Sequence, residues 1–339
     1  MTAETKNPAN KNTENKNTAN VGLDLRAVAG TGLLVFLALV PLYAWLADDI
    51  YVLTYFGRIL VFALAALGLN LVLGFGGMAS LGHAMYIGFG AYTVGILTTL
   101  GVLNGWVHLL VALLATLVIS LPVGWIALRT RGMAFIMITL AFAQLFYYAF
   151  VSLRQFGGDE GLSLTDLSDF GVLTGNKYAI YLSLLVTLLL VLWFLGRLVN
   201  SRFGLVLKAT RFNARRVNAV GTASQPYRLA AYVISAQICA LAGYFMANLN
   251  GFVSPATMSW LVSAELMVMV LLGGIGTIFG PVVGALGLLL IEDGLKLLTV
   301  HWPLILGPLV LVVVLVLRQG IWGMLLPAHE KARQSGGHH

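Results

Sequence analysis

The chain has 339 residues, of which 59% are hydrophobic and only 10% charged, with a mean hydropathy of +0.90. A soluble domain carries about 25% charged residues, and no soluble fold of this size hides so much apolar surface, so the composition excludes a soluble enzyme and marks an integral membrane protein. The formal net charge of +7 is therefore read loop by loop against a membrane, not as a nucleic-acid footprint.

Residues 1–27, rich in Asn, Thr and Lys, read as a disordered cytoplasmic tail without a signal-peptide pattern. Apolar runs then predict ten crossings. The first six are Thr31–Leu46, Tyr55–Leu73, Ala84–Leu100, Val107–Leu128, Met133–Leu153 and Tyr178–Leu198. The last four are Leu229–Leu249, Leu261–Leu272, Pro281–Ile291 (extensible to Leu298) and Leu304–Leu317. The eighth run rises only about 18 Å as a helix against roughly 30 Å of hydrocarbon, so it is expected to be broken or re-entrant. The fold class is thus an all-α integral membrane protein of about ten helices. A permease domain covers 28–322, and a short tail covers 323–339, whose final Gly-Gly-His-His reads as a tag remnant.

Charge sets the orientation. Asn200–Arg228 carries six Arg or Lys in 29 residues and no acid, a topogenic cytoplasmic loop able to meet anionic lipid. With the N-terminus inside, 16 of the 20 Lys and Arg fall in cytoplasmic segments or beside them, leaving Arg58, Arg154, Lys177 and Lys296 outside. That is the positive-inside bias. It sends Arg318 and the C-terminus to the cytoplasm. The loop 154–177, with Asp159, Glu160, Asp166 and Asp169, goes outside. Within the basic loop, Ala209–Ala219 is expected to form a short amphipathic helix stopped at Gly221.

Two glycine clusters interrupt apolar runs at the same face: GFGGMASLGH from Gly74 to His83, and GGIGTIFGP from Gly273 to Pro281. Glycine permits close helix approach and unusual backbone angles. Broken helices in transporters line protected paths, which singles out Gly74, Gly76, Gly77, Gly273, Gly274 and Gly276. Polar side chains in such surroundings need partners. Asn70, Ser80, His83, Tyr86, Gln144 and Glu265 are candidates for lining the path, with helix-to-helix hydrogen bonding as the competing reading for each. Glu292 and Asp293 read as a local ion-pair cluster with Lys296 near the outer interface. The lone Cys239 reads as a buried inert thiol. The chain carries no GxxxxGK[ST] loop, HExxH or GxSxG motif, so no ATP site, metal site or catalytic residue is expected.

These segments, taken in order, resemble the permease family of branched-chain amino acid ABC importers, and the LivM type more closely than the LivH type. The resemblance spans about Gly57–Gly323. It rests on LNLVLGFGGMASLGHAMYIGFGAYT (Leu69–Thr93), GGDEGL (Gly157–Leu162), SRFGLVLKATRFNARRVNAVG (Ser201–Gly221), YRLAAYVISAQICALAGYFMA (Tyr227–Ala247) and MVMVLLGGIGTIFGPVVGA (Met267–Ala285).

The resemblance implies an ABC permease fold in a bacterial inner membrane, paired with a second, LivH-like permease. Two cytoplasmic ATPases, which hold ATP and Mg, would drive it. A periplasmic binding protein would deliver substrate near Gly157, Gly158, Asp159 and Glu160. The segment holding Arg211, Asn213, Ala214, Arg215, Arg216 and Gly221 would be the coupling helix. Family members carry an acid near position 213 or 214, where this chain has Asn213-Ala214. Relatives of this type also serve urea, short amides and other small organic solutes. An ion-coupled secondary transporter is the rival from the residues alone, with His83 or Glu265 as its coupling group.

Overall fold

The computed structural model describes residues 28, 30–164, 168–169, 177–316 and 320–324. Residues 1–27, Asp166, Arg318 and the tail beyond 324 lie outside the described residues. Among the described residues the regular structure is helical apart from one two-stranded pairing and an isolated bridge between Asn104 and Asp169. In order come α1 (Gly30–Ala47), α2 (Ile50–Asn70), α3 (His83–Thr99), α4 (Gly105–Ala127), α5 (Met133–Ser152) and α6 (Lys177–Val199). Then follow α7 (Arg202–Ala219), α8 (Ser224–Asn250), α9 (Trp260–Gly273), α10 (Gly280–Leu298), α11 (Trp302–Val316) and α12 (Gly320–Met324).

Six described helices are long and apolar enough to cross a membrane: α1, α2 with its π-helical extension to Phe75, α4, α5, α6 and α8. The ten expected crossings require counting four more. Of these, α3 has 17 residues, α9 has 14 and α11 has 15. The 19 residues of α10 carry Glu292, Asp293 and Lys296.

Burial sorts the helices into layers. The α2 span is 83% buried and α8 61%, whereas α5 is 17% and α4 28%. α2, α3 and α8 therefore form the centre, with α9 and α10 packed on α2, and α4 and α5 present broad apolar faces outward. Glycine sets how closely the central pair packs. A Cβ on Gly243 of α8 would sit 1.8 Å from the Ile87 carbonyl oxygen of α3. One on Gly90 would sit 2.1 Å from that of Ala240. Side chains at either position would push the two backbones apart. Large aromatic rings fill the space around this contact, including Tyr86, Tyr92, Tyr232 and Tyr244, all essentially buried.

Three of the expected boundaries move by five residues or more. α2 begins at Ile50 rather than Tyr55, with the Asp49 side chain accepting from the Tyr51 amide. α8 begins at Ser224, five residues before the expected Leu229: Asn218 Oδ1 accepts from the Ser224 amide, and Pro226 lies in the first turn, where a missing N–H costs nothing. The helix expected over Ala209–Ala219 starts instead at Arg202 and is bent at Asn213 (φ −156°, ψ 95°). Gly221, with φ +86°, ends this element as expected.

Candidate functional site

The α2 helix ends in a wide turn. Leu71–Phe75 is π-helical, with the Gly76 amide donating to the Leu71 carbonyl at 3.1 Å. The chain then runs without helix from Gly77 to Gly82 before α3 begins at His83. A second interruption follows α8, where Gly251 (φ +64°) ends the helix and Phe252–Ser259 turns back through a 3₁₀ turn, Pro255–Met258. The two interruptions meet inside the molecule. The Ala84 amide donates to Ser263 Oγ of α9 at 3.0 Å, and Gly88 leaves room for Met258, whose Cγ would lie 2.1 Å from an added Cβ. The short α9 expected from sequence is thus seated against the start of α3.

The two glycine clusters are joined by one side chain. Asn70 Nδ2 donates to the Thr277 carbonyl at 2.7 Å, and Asn70 Oδ1 accepts from the Gly276 amide at 3.0 Å. Gly74 is where this knot is tightest: its Cβ would fall 2.1 Å from Asn70 Oδ1 and 2.6 Å from the Gly276 nitrogen. Gly274 and Gly276 take φ of 121° and 74°, values that a Cβ disfavours. Gly273 and Gly76 are also crowded, an added Cβ lying 1.8 Å from the Gly280 carbonyl oxygen and 2.7 Å from that of Val72 respectively.

The basic helix α7 is hooked to this knot. Arg211 Nη1 donates to the Gly74 carbonyl. Gly77, with φ +66°, lies under the same side chain, and its Cβ would meet Arg211 Cγ at 2.6 Å. At the bend, Asn213 Oδ1 accepts from the Arg216 amide at 3.1 Å, capping the second half of α7. A carboxylate at 213 would make the same cap, so the departure from the family pattern leaves the cap in place. Arg215 and Arg216 are exposed, Ala214 half-buried. Phe212 and Val220 are 85% and 84% exposed. They border an apolar groove of about 540 Å³ with Leu205, Val206 and Val217. Sequence reading passed over these two side chains; apolar residues on both sides of the expected helix were the available signal.

His83 and Ser80 are fully buried. His83 Nδ1 lies 2.9 Å from Ser80 Oγ, while Nε2 has no partner among the described residues. The imidazole packs edge-on against Tyr86 and Tyr232, whose hydroxyls bond at 3.1 Å. Asn70 and Tyr86, like His83, are closed off within the chain as it stands. Gln144 is half-buried on α5, apart from this cluster.

Glu265 is half-buried on α9, and its Oε1 lacks a hydrogen-bond partner among the described residues. It shares electrostatic reach with Arg58, Glu292, Asp293 and Lys296. The expected ion pairs form there: Lys296 reaches Glu292 at 2.5 Å and Asp293 at 2.8 Å. Arg58 joins them, 3.8 Å from Glu292.

The loop holding Gly157 and Gly158 is compact. Gly157, Gly158 and Gly161 all have positive φ, and a Cβ on Gly157 would overlap the Gly161 carbonyl. The turn presents Asp159 and Glu160 to solvent. Leu162–Ser163 then pairs antiparallel with Phe252–Val253, tying this loop to the strand that leads into α9.

Residues 51–317 match the family described as branched-chain amino acid transport system / permease component. The chain belongs to that family. It is 27% identical to the high-affinity branched-chain amino acid transport system permease protein LivM of Escherichia coli K12, over 79% of this chain and 69% of that protein. Identity to LivH of the same organism is 25%, over 77% of this chain and 91% of LivH. A shorter match, 34% identical over 39% of each chain, is to the autoinducer 2 import system permease protein LsrC of Yersinia pseudotuberculosis serotype O:3 (strain YPIII). No solved structure matches. As a permease component the chain is a multi-pass membrane protein of transport, and the interrupted helices described above are this family member's own.

Proposed function

We propose that this chain is the LivM-type permease subunit of a binding-protein-dependent ABC importer for branched-chain or other small hydrophobic amino acids. It resides in a bacterial inner membrane with both termini in the cytoplasm. It pairs with a LivH-like permease. Two cytoplasmic ATPases, which hold ATP and Mg, drive it, and a periplasmic binding protein docks near Gly157–Glu160. The chain itself moves substrate by alternating access and has no part in bond making.

The observation that carries this reading is the linkage Arg211–Gly74–Asn70–Gly276, which connects the basic helix to both glycine breaks. ATP-driven closure of the ATPases would move α7 through Phe212, Arg215, Arg216 and the apolar groove. Arg211 would pull on the α2 break, and Asn70 would carry that displacement to the α9–α10 turn. Because α3 starts after the first break and α9 ends at the second, their relative shift would change access to a path near Ser80, His83, Tyr86, Gln144 and Glu265. A hydrophobic amino acid suits a path whose walls are apolar between a few polar steps.

The match to LsrC, whose name specifies a different solute, favours a second reading of the same transporter class, in which the cargo is another small organic molecule. The test is reconstitution of the chain with its cognate permease, ATPases and binding protein in liposomes. Branched-chain amino acids should stimulate ATP turnover and accumulate inside. Uptake driven by an ion gradient with no ATPase present would overturn the importer reading. ATP-driven uptake of a different solute would overturn only the substrate.

A further inference from the structure

A cavity of about 620 Å³ opens between the turn that joins α4 to α5, the α7–α8 turn and the start of α8. Three guanidinium-bearing residues line it: Arg129, Arg131 and Arg228. No carboxylate lines it, and none of the three makes an ion pair among the described residues. Arg228 is half-buried on the first turns of α8, its Nε donating only to the weak acceptor Met78 Sδ at 3.2 Å. Arg131 bears on it as a like charge. Arg129 and Arg131 are exposed at the cavity mouth, whereas the half-buried Arg228 carries a charge that is costly to hold without an anion to complete it. The α8 N-terminus does not supply the attraction, because Asn218 Oδ1 already accepts from the Ser224 amide at 3.0 Å.

The position of the cavity selects the anion. It opens beside α4 and α5, two of the helices with broad outward apolar faces. Met133, Met137 and Ile126 are exposed along that border. Trp125, 49% exposed, lies flat against the Arg129 guanidinium, with Arg129 Cζ 3.6 Å from the ring centroid. An indole beside basic side chains at a span end marks headgroup depth, and the positive-inside bias makes this the cytoplasmic leaflet. We propose that the cavity holds the phosphate of one anionic lipid headgroup, its acyl chains lying along the outer faces of α4 and α5. Bound there, the headgroup ties the α4–α5 turn to the hinge after α7, beside the Met78 end of the α2 break. The inference stands on the cavity, its arginines and the apolar faces beside it, and does not depend on the importer reading.

The test is native mass spectrometry of the purified full-length protein with defined lipids. Wild type should retain one phosphatidylglycerol more tightly than phosphatidylethanolamine. The variants Arg131→Gln and Arg228→Gln should each weaken that retention about tenfold, the effect of one lost charge-assisted contact. Arg129→Gln, on an exposed side chain, provides a readout if Arg228→Gln fails to fold. Arg154→Gln, in the loop after α5, should leave retention unchanged. Equal retention in wild type and all three cavity variants would overturn the proposal. So would displacement of phosphatidylglycerol by equimolar inorganic phosphate, which would assign the site to a free anion. Loss of ATPase copurification in the variants with lipid retention unchanged would assign the cavity to an acidic protein partner and would also overturn it.

Discussion

Asn70 on α2 grips the backbone of the α9–α10 turn with both ends of its amide, taking the Gly276 N–H at 3.0 Å and giving to the Thr277 carbonyl at 2.7 Å. These partners are more than 200 residues apart in the chain. A buried amide used in this way is a clamp between two helix breaks. Replacing it strands a partly buried N–H and a partly buried C=O at once.

Asn70→Ala should therefore destabilise the protein by about 2 kcal/mol, the order of cost for leaving buried groups unpaired. It should reduce transport more than membrane insertion. Thermal unfolding in detergent checks the first effect, and uptake normalised to membrane-inserted protein checks the second. Full stability and full uptake would mean the clamp is dispensable.

At Gly77 an alanine must adopt φ +66° and push against Arg211 Cγ. The backbone cost alone is about 1 kcal/mol. Gly77→Ala and bulkier residues at Gly76 or Gly77 should insert normally yet block uptake in order of side-chain size. Equal uptake across that series would show that neither close packing nor movement is needed here.

The bend of α7 separates two roles that a single alanine scan would merge. Asn213→Asp keeps the cap on Arg216 and should behave as wild type, whereas Asn213→Ala should lose about 1 kcal/mol of local helix stability and loosen coupling. Substrate-stimulated ATP turnover in the reconstituted assembly distinguishes the two. Indistinguishable turnover for Asp and Ala would remove the cap from the mechanism.

On the exposed side of α7, Phe212→Ala and the double change Arg215→Ala with Arg216→Ala should weaken recovery of ATPase subunits without reducing the amount of inserted permease. The apolar change should have the larger effect, because Phe212 is 85% exposed and large exposed apolar side chains anchor interfaces. Copurification from membranes gives the answer. Wild-type recovery in both variants would place the docking surface elsewhere.

Glu265→Gln removes a charge while keeping its shape. If Glu265 serves only the path of an ATP-driven importer, the variant should change the apparent affinity for substrate and keep uptake dependent on ATP. Abolished uptake that returns with an imposed ion gradient would instead identify it as an ion-coupling group.

Much of this was legible in the chain. Span positions follow from long apolar runs, and the observed ends of α4, α5 and α6 fall within two residues of those expected. The two glycine clusters stood out because such density interrupts a hydrophobic helix, and the basic loop because charge is rare elsewhere. The sequence did not show that the clusters touch. It placed Asn70 among path candidates and Arg211 among ATPase contacts. In the fold both side chains also reach inward to glycine backbone, Asn70 to Gly276 and Arg211 to Gly74. Nor did it show the bend at Asn213, since the helical pattern of α7 continues across that position.

The division has a physical cause. Composition and charge bias act through the solvent, so membrane residence, span positions and the inside-basic pattern are properties of the sequence taken alone. Hydrogen bonds between Asn70, Gly74, Gly276 and Arg211 depend on distances of a few ångströms between distant segments. Only the packing of α2 against α8, α9 and α10 decides those distances. The same holds for the three arginines: one by one they read as basic side chains at span ends, and only the fold gathers Arg129, Arg131 and Arg228 around a single cavity.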